Sequence, residues 1–298
     1  MLTKEQIEQR LNGLFGTDSS ALEGTNERFG QNQLFHIKRR NITEKVDPTL
    51  AMDMGHDMEP RNIVQTALAI GKKVRRSNRT IWNEKVLYKG KPFLGAHLDG
   101  KVVGERTIVE CKNVHYRGEA RWGQPGTDQI PPNYISQVKH YCLVTGMRNV
   151  IFGVLFVSWP EHRLFNISFS EGDISDLYDK CYDFWDKMHK NIEPPVDHTK
   201  GCEQGLRKRW PRVIDTEAIV LTDNESDQVM KDMEENKEAI KKLQNREVML
   251  KNKIRQKMED RSLLVTAKGD QIASYKEDKN GNRVLRFNKN QEVSYGSK

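Results

Sequence analysis

The most constraining feature of the sequence is a short β-like run in which charged side chains alternate with apolar ones. Residues 106–112 read RTIVECK, are rich in β-branched residues and follow a Gly-Glu turn at Gly104. Successive side chains of a strand point to opposite faces, so we expect Glu110 and Lys112 to share one face and Cys111 to take the other. Buried charges are costly unless they are paired or bound to a metal. The run therefore predicts a sheet strand that carries a polar site into the protein.

Two further carboxylates extend this polar site. Asp99 lies just before Gly100, where we expect a tight turn that folds the preceding strand back and brings Asp99 near Glu110. Glu59 lies earlier, in the segment MGHDMEPRN. Carboxylate oxygens are the ligands that Mg²⁺ prefers, and two such ions roughly 3.5–4 Å apart can activate water and stabilise a leaving oxygen. Together with Lys112, these residues indicate metal-dependent phosphodiester cleavage; the competing interpretation is a solvated hairpin that happens to carry charge.

The composition of the chain restricts its class and its partners. Its 298 residues carry a net charge of +7, which favours a polyanionic partner. We find no apolar run of the roughly 18–20 residues that a membrane span needs, and MLTKEQIEQRL at the start lacks the apolar core of a signal peptide. The four cysteines form no Cys-x-x-Cys pair, which disfavours a zinc knuckle or an iron–sulfur cluster. We therefore expect a cytoplasmic protein.

Periodicity along the chain predicts an α/β (α+β) core followed by a tail. Helical segments surround a β-rich region over 85–112 and an apolar strand near 149–159, which we expect to be central in the sheet. The segment MGHDMEPRNIVQTALAIG predicts an amphipathic helix with Glu59 near its start. The expected parts are a nuclease core domain over 1–195, a basic polar connection over 196–224 and a helical tail with a terminal β-hairpin over 225–298.

Apolar residues of the tail recur at alternating steps of three and four, which is typical of a coiled-coil seam. The apolar positions are Val229, Met233, Ile240, Leu243, Leu250 and Ile254, and Asn236 and Glu247 occupy the intervening seam positions. Such a seam predicts either contacts between subunits or an intramolecular helical hairpin. Beyond it, residues 269–288 alternate around an Asn-Gly turn, which predicts a β-hairpin.

Three ordered motifs resemble those of one nuclease family. Arg10 precedes GLFGTDSSALEG at 13–24, MGHDMEP covers 54–60, and GTDQIPPNYISQVKHYCLVTG covers 126–146. With the Asp…Glu-x-Lys triplet, they make the chain similar to YqaJ-type phage recombinase exonucleases, relatives of the phage lambda exonuclease in the PD-(D/E)XK nuclease superfamily. The resemblance implies a restriction-endonuclease-like core, with a mixed central β-sheet flanked by helices.

The resemblance also implies roles at a catalytic site. Asp99, Glu110 and the backbone carbonyl of Cys111 would bind metal directly, and Glu59 would contact metal through water. Lys112 would stabilise the charge of the transition state or orient the nucleophile. The implied cofactor is Mg²⁺, with two ions in the site and Mn²⁺ as a substitute.

A second implied site binds the DNA end. Arg10 and Thr17 would form part of a pocket for the terminal 5′-phosphate, because a guanidinium, a hydroxyl and free N–H groups suit a phosphate dianion. Gln137 would position the scissile phosphate or the attacking water. The chain departs from the family pattern with Leu98 in place of Pro, Thr17 in place of Ser and Lys139 in place of a second Gln.

The function that the resemblance implies is a 5′–3′ exonuclease acting on linear double-stranded DNA. It would degrade one strand and leave 3′ single-stranded overhangs for phage-type homologous recombination. The implied partners are linear duplex DNA, a single-strand annealing protein and further copies of the chain in a homo-oligomer that can be a ring. Two other functions stay open: a structure-specific or restriction-type DNA endonuclease, and a non-catalytic DNA-binding scaffold protein.

Basic and aromatic segments outside these sites have two interpretations each. KKVRR at 72–76, with Arg79, either lines a DNA channel or forms a solvated face. KRWPR at 208–212 adds an aromatic ring that either stacks on a base or packs on the core. Trp122 either wedges between the strands at a duplex end or belongs to the core.

Overall fold

The structure is a computed structural model, and it describes residues 3–43, 49–77, 79–158, 160–212 and 218–287. The chain divides into two units, Met1–Val213 and Ile214–Lys298. The boundary between them falls inside the predicted connection over 196–224. Within the described ranges, no helix has the length and apolarity that crossing a membrane would require.

The elements of each unit are as follows. Helices of the first unit are α1 Lys4–Leu11, α2 Gly16–Leu22, α3 Gln31–Lys38, α4 Leu50–Ile70, α5 Tyr116–Glu119, α6 Pro132–Thr145, α7 Glu171–His189 and α8 Lys200–Arg209. Its strands are β1 Val74–Arg76, β2 Ile81–Trp82, β3 Leu87–Tyr88, β4 Lys91–Pro92, β5 Gly95–Ala96, β6 Gly100–Val102, β7 Thr107–Val114, β8 Asn149–Phe156 and β9 Glu161–Ser168. The second unit contains α9 Asp223–Met258, β10 Leu263–Val265, β11 Gln271–Glu277 and β12 Arg283–Phe287.

The first unit is organised around a five-stranded sheet with the order β1-β6-β7-β8-β9. β7 and β8 run parallel, whereas the other neighbouring pairs are antiparallel. A hairpin cannot join parallel neighbours, so the chain passes from β7 to β8 through α5 and α6. The sheet is mixed and helices flank it, which confirms the predicted fold class. β7 is the middle strand, and the apolar strand expected there, β8, lies beside it.

The strand β7 alternates its side chains between two apolar layers. Ile108 belongs to the larger buried cluster, which also contains Val138 of α6. Val109 and Cys111 belong to a second cluster, which contains Ile63 of α4. Helices therefore cover both faces of the sheet at β7, and a polar residue on this strand enters a buried layer.

Two glycines allow close packing around the sheet. A Cβ atom on Gly153 of β8 would overlap the Thr66 hydroxyl, so glycine at this position lets α4 lie directly on the sheet. A Cβ atom on Gly100 of β6 would lie 2.8 Å from Val74 Cγ1 and 3.3 Å from the carbonyl oxygen of Arg75. Glycine at this position brings the basic strand β1 beside the start of β6.

The turn predicted at Gly100 is wrong. Gly100 is the first residue of β6 and pairs with Val109 of β7. The chain turns instead between these strands at Gly104, where φ is 82°, a left-handed conformation that glycine adopts without strain. Asp99 therefore precedes the strand that folds back, rather than the turn.

Helix α4 begins well before its predicted start. The Thr49 hydroxyl accepts a hydrogen bond from the Met52 N–H, which caps the helix at Leu50 and places Glu59 in its middle. Pro60 lies inside the helix. The prediction placed the start at Met54 because it rested on the segment MGHDMEPRNIVQTALAIG, which does not include the capping residue Thr49.

The predicted polar connection over 196–224 contains the helix α8. The Thr199 hydroxyl accepts a hydrogen bond from the Cys202 N–H at 3.1 Å and caps this helix. A Cβ atom on Gly201 would overlap the side chain of Gln33, so the absence of a side chain lets α8 pack against α3. This part of the connection is thus built onto the first unit.

The second unit combines α9 with an antiparallel sheet in the order β10-β11-β12. β11 and β12 form the described part of the predicted hairpin, since residue 288 lies outside the described residues. Met258 at the end of α9 is buried, as is Ala273 of β11. The Arg283 guanidinium donates to the carbonyl oxygen of Glu259 at 2.6 Å. These contacts attach the C-terminal end of α9 to the sheet.

Candidate active site

Asp99, Glu110 and Lys112 meet where the pairing between β6 and β7 ends. The pairing of β6 with β7 ends at Val109. Beyond this residue, a backbone N–H of β7 is bound by the Asp99 carboxylate instead of by a strand. Asp99 Oδ2 accepts the N–H of Cys111 at 2.8 Å, which fixes Asp99 beside the buried side chain of Glu110. Lys112 Nζ donates to Glu110 Oε1 at 2.6 Å. The structure therefore brings the charged triplet of the sequence into one cluster.

The charges of this cluster shift one another's protonation. Burial, and after it the charge of Glu110, raises the pKa of Asp99 well above its usual range. Burial alone would lower the pKa of Lys112, but the charges of Glu110 and Asp99 outweigh it and raise that pKa above its ordinary value. The carboxylates of the half-buried Asp99 and the buried Glu110, beside one ammonium, favour the binding of a further cation.

The donor atoms of this cluster fit a hard metal ion. Glu110 Oε2 is buried and has no hydrogen-bond partner within the part of the chain that the structure describes. The N–H and C=O of one strand residue lie at the same edge, so the Cys111 carbonyl lies at the edge where Asp99 binds the Cys111 N–H. Among the described residues, His, Cys, Asp and Glu side chains form no metal-binding group of three or more. Two carboxylates with a backbone carbonyl form an all-oxygen set of the kind that Mg²⁺ and Mn²⁺ accept.

Gln137 of α6 connects the helix to the charged cluster. Its Nε2 donates to Glu110 Oε1 at 3.0 Å and to the Tyr141 hydroxyl at 2.7 Å, and its Oε1 accepts from Lys112 Nζ at 3.3 Å. The Lys112 ammonium also lies 4.8 Å from the centre of the Tyr134 ring, a favourable cation–π distance. Glu110, Tyr141 and Lys112 thereby fix the orientation of the Gln137 amide.

Sequence reasoning missed the two tyrosines. Tyr134 and Tyr141 lie three residues before and four residues after Gln137, so one face of α6 presents all three to the cluster. Helical spacing around Gln137 was the signal that could have found them. Burial, and then the charges of Glu110 and Asp99, raises the pKa of Tyr141 well above its usual range, so its hydroxyl keeps its proton.

Glu59 lies near the cluster but is paired elsewhere. Its Oε1 accepts from Arg76 Nη2 at 3.4 Å, and Arg76 stands on the edge strand β1. Its charge is the smallest of the influences that raise the pKa of Asp99. The structure thus places Glu59 near the site, and the pairing with Arg76 was missed because the position of β1 depends on its pairing with β6.

Arg10 and Thr17 contact each other at the turn between α1 and α2. The Arg10 guanidinium donates to the Thr17 hydroxyl. A Cβ atom on Gly16 would lie 2.5 Å from Tyr141 Cε1 and 3.0 Å from the carbonyl oxygen of Gln137. Glycine at this position thus lets the turn lie against the face of α6 that carries Gln137 and Tyr141. The predicted end-binding residues and the charged cluster therefore lie beside the same face of α6.

A buried ion pair supports this turn from the protein interior. Lys38 Nζ donates to Asp18 Oδ2 at 2.6 Å and to the carbonyl oxygens of Arg10 at 2.5 Å and Gly13 at 2.8 Å. Asp18 Oδ2 also accepts the N–H of Phe15 at 2.9 Å, which begins α2. Hydrogen bonds to charged groups in a buried site are strong, so these contacts order residues 10–18.

Residues 6–148 match the family model described as the YqaJ-like viral recombinase domain. This segment thus resembles YqaJ-like viral recombinase domains. It contains each of the site residues described above, from Arg10 to Tyr141. The uncharacterized protein YqaJ of Bacillus subtilis (strain 168) is 28% identical over 269 residues, which are 87% of this chain and 79% of that protein.

The chain also has a fold in common with solved structures. LHK-Exo, an alkaline exonuclease from Laribacter hongkongensis, is 19% identical and matches 64% of this chain and 95% of its own. The TM-score is 0.51 for its complex with dAMP and 0.50 for a further crystal structure of it. At this identity the similarity establishes the fold, a mixed sheet flanked by helices.

Three other residues that the sequence singles out differ in their burial and contacts. Lys139 donates to the largely buried side chain of Glu23 at 2.6 Å, on the side of α6 away from the charged cluster. Trp122 is buried against Phe152 and Phe165, which makes it a core residue rather than a wedge. Trp210, at the end of α8, is exposed, with the Arg209 guanidinium 4.3 Å from its ring centre.

Proposed function

We propose that the chain is a metal-dependent deoxyribonuclease that degrades one strand of linear double-stranded DNA in the 5′–3′ direction. The observation that carries this proposal is the cluster of Asp99, Glu110 and Lys112, in which one buried carboxylate oxygen has no hydrogen-bond partner among the described residues. The viral recombinase family and the fold of alkaline exonucleases support a nuclease. The product would be duplex DNA with 3′ single-stranded overhangs, which is the substrate of recombination.

Asp99, Glu110 and the Cys111 carbonyl would hold Mg²⁺, or Mn²⁺ in its place, with Glu59 reaching the site through water. A bound ion of this kind lowers the pKa of water and stabilises negative charge on phosphate oxygens, and we propose two ions in the site. The buried position of Glu110 supports this assignment, because its negative charge is stabilised there chiefly by a cation.

Lys112 would contact the phosphate of the substrate in addition to Glu110 and Gln137. Its raised pKa keeps the ammonium charged, so it can stabilise the charge that develops on the phosphate in the transition state. Gln137 would orient the attacking water or the scissile phosphate through its amide, which Tyr141 and Glu110 hold in one orientation. Each of these groups is fixed before substrate binds, which is favourable for catalysis.

Arg10 and Thr17 would bind the terminal 5′-phosphate. Their position against the Gln137 face of α6 supports an exonuclease over an endonuclease, because an end-binding pocket beside the cluster would present the first phosphodiester to it. A guanidinium and a hydroxyl provide the charge-assisted hydrogen bonds that a phosphate monoester needs.

A single digestion experiment tests the reaction. The substrate is a linear duplex with one 5′-phosphate and one 5′-hydroxyl end, and each strand carries a different label. We expect the phosphorylated strand to be released as nucleotides from its 5′ end, in the presence of Mg²⁺. Rapid cutting of covalently closed circular DNA would instead support the endonuclease. If the wild type is as inactive as the Glu110→Ala and Lys112→Ala variants, the supported function becomes that of a non-catalytic DNA-binding scaffold.

The end-binding pocket has its own test. Arg10→Met should reduce the preference for the phosphorylated end by at least about tenfold, because a charge-assisted contact to phosphate is lost. Arg40→Met is a matched control, since Arg40 is an exposed arginine that pairs with Glu8 on α1. An unchanged end preference in Arg10→Met would remove Arg10 from the pocket without affecting the metal site.

The proposal includes partners besides DNA. A protein that makes 3′ overhangs would act with a single-strand annealing protein, and assembly into a ring around DNA would make digestion processive. The activity would take place in a bacterial cytoplasm, where recombining DNA is found. Copurification with the annealing protein and the molar mass of the assembled chain test these partners separately from the reaction.

A further inference from the structure

The helix α9 presents an apolar stripe along most of its length. The coiled-coil seam of the sequence, which we call the α9 seam, consists of Val229, Met233, Asn236, Ile240, Leu243, Glu247, Leu250 and Ile254. Its apolar members from Val229 to Leu250 are exposed, Leu243 to 65%. Ile254 is half-buried, and burial on the sheet of the second unit begins only at the last turn, with Met258. An exposed stripe of this length marks an interaction surface.

The α9 seam has the same pattern in both directions along the helix. Its eight positions form pairs that are equally distant from the peptide bond between Lys241 and Lys242. The pairs are Ile240 with Leu243, Asn236 with Glu247, Met233 with Leu250, and Val229 with Ile254. Each apolar residue has an apolar counterpart, and the two polar residues are counterparts of each other.

We propose that α9 binds a second copy of this chain as an antiparallel two-stranded coiled coil centred between Lys241 and Lys242. In such a pair, each seam residue of one helix faces its counterpart on the other. Apolar residues therefore meet apolar residues at every level except those of Asn236 and Glu247. The seam covers about 38 Å at the rise of an α-helix, which is long enough for a specific coiled coil.

The two polar seam positions match in this arrangement. Asn236 of one copy faces Glu247 of the other, where its amide N–H groups can donate to the carboxylate. Glu247 already pairs with Lys251 of its own helix at 2.5 Å, so its charge enters the interface partly neutralised. A polar pair inside a seam lowers affinity but fixes register and orientation.

Charges beside the seam also favour the antiparallel orientation. Asp232 of one copy would flank Lys253 of the other, an attractive pair, and the antiparallel flanks bring no like charges together. A parallel pair in register would gain Asp232 beside Lys237 but would oppose Arg246 with Lys251. It would also place the Glu247 carboxylates of the two copies opposite each other at a seam position, which is destabilising.

The first experiment measures the molar mass of the full chain by sedimentation equilibrium over a range of concentrations. We expect Leu243→Asp to halve the molar mass of the wild-type assembly and to raise the dissociation constant by at least about tenfold, because both central levels lose an apolar pair. Met249→Asp is the matched control, since Met249 is also exposed on α9 but lies outside the seam. If the α9 seam instead packs within a single chain or binds a different protein, wild type and Leu243→Asp have the same molar mass. This result overturns the proposal.

The second experiment tests orientation by disulfide formation. In the antiparallel pair, residue 233 of one copy faces residue 250 of the other. A mixture of Met233→Cys and Leu250→Cys chains should form a disulfide-linked pair, whereas neither variant alone should link to itself. The four native cysteines are buried, which keeps the background low. Self-linking of each variant by itself shows a parallel pair, and absence of linking in the mixture shows no pair; either result overturns the proposal.

Discussion

At the scale of single residues, Glu110 is the group on which the site depends. It is buried on the middle strand, it receives hydrogen bonds from Lys112 and Gln137 on one oxygen, and its second oxygen has no hydrogen-bond partner among the described residues. A buried carboxylate with a spare oxygen is stabilised when a cation binds. Glu23 offers a close comparison, because its side chain is also largely buried and its second oxygen also has no partner among the described residues. It differs in that two lysines, Lys139 at 2.6 Å and Lys180 at 3.9 Å, oppose its charge.

This comparison gives a prediction about metal binding. Thermal unfolding of the wild type should shift upward when Mg²⁺ is added, because the ion binds the folded protein. In Glu110→Gln the shift should need at least about tenfold more Mg²⁺, since one negative oxygen is lost. Glu23→Gln should keep the wild-type response. The measurement is the melting temperature against Mg²⁺ concentration, and an equal response of wild type and Glu110→Gln would contradict the metal assignment.

His140 of α6 gives a second prediction, about pH. Its Nε2 donates to the carbonyl oxygen of Gly95 at 3.0 Å, so its Nδ1 accepts from the Ser19 hydroxyl at 2.8 Å and the ring is neutral. Burial lowers the pKa of His140 to about 4. Below its ordinary pKa of about 6.5, the unfolded chain binds a proton that the folded chain does not.

The contribution of His140 to the free energy of unfolding should therefore be constant above pH 6.5 and should fall as the pH is lowered towards 4. The loss amounts to about 3 kcal/mol for a shift of this size. His140→Gln should be less stable at neutral pH and should show a weaker dependence on pH in this range. Urea unfolding at a series of pH values measures this, and parallel curves for the two proteins would be the contrary result.

At the scale of elements, the contact between α4 and β8 depends on Gly153. Gly153→Ala would push the methyl group into Thr66, and because the contact is with a buried helix residue the helix must move. Overpacking of this kind costs about 1–3 kcal/mol. The control is Gly172→Ala in the first turn of α7, where a Cβ atom would meet only Ser170 Oγ at 3.7 Å. We expect unfolding experiments to show a loss for Gly153→Ala and no loss for Gly172→Ala.

The sequence predicted those parts of the site that follow from local periodicity. Glu110 and Lys112 were placed on one face by the two-residue period of a strand, and the structure agrees. The start of α4 was misplaced at Met54 because the segment predicted as a helix did not include Thr49, whose side chain caps the helix. The partner of Glu59, Arg76, could not be predicted, because it arrives through strand pairing between distant segments.

At the scale of the whole molecule, the two units separate chemistry from the proposed association. The site residues lie in the unit Met1–Val213, and the α9 seam lies in Ile214–Lys298. Single-turnover cleavage of a short duplex by Leu243→Asp should therefore stay within about twofold of wild type, since the substitution changes no residue of the unit that contains the site. Rapid-quench measurement of the first cleavage checks this, and a loss greater than tenfold would show that association is needed to complete the site.

The buried Lys38 has a consequence for the thermodynamics of end binding. It holds the turn of Arg10 and Gly13 through their carbonyl oxygens, so this backbone is ordered in the free protein. A preordered segment loses little conformational entropy when it binds a ligand. Capture of a DNA end would then proceed with a small entropic penalty, and the choice between a phosphate and a hydroxyl would rest on rigid geometry. A lysine that lies beneath the surface would thus set the selectivity of a pocket that it does not line.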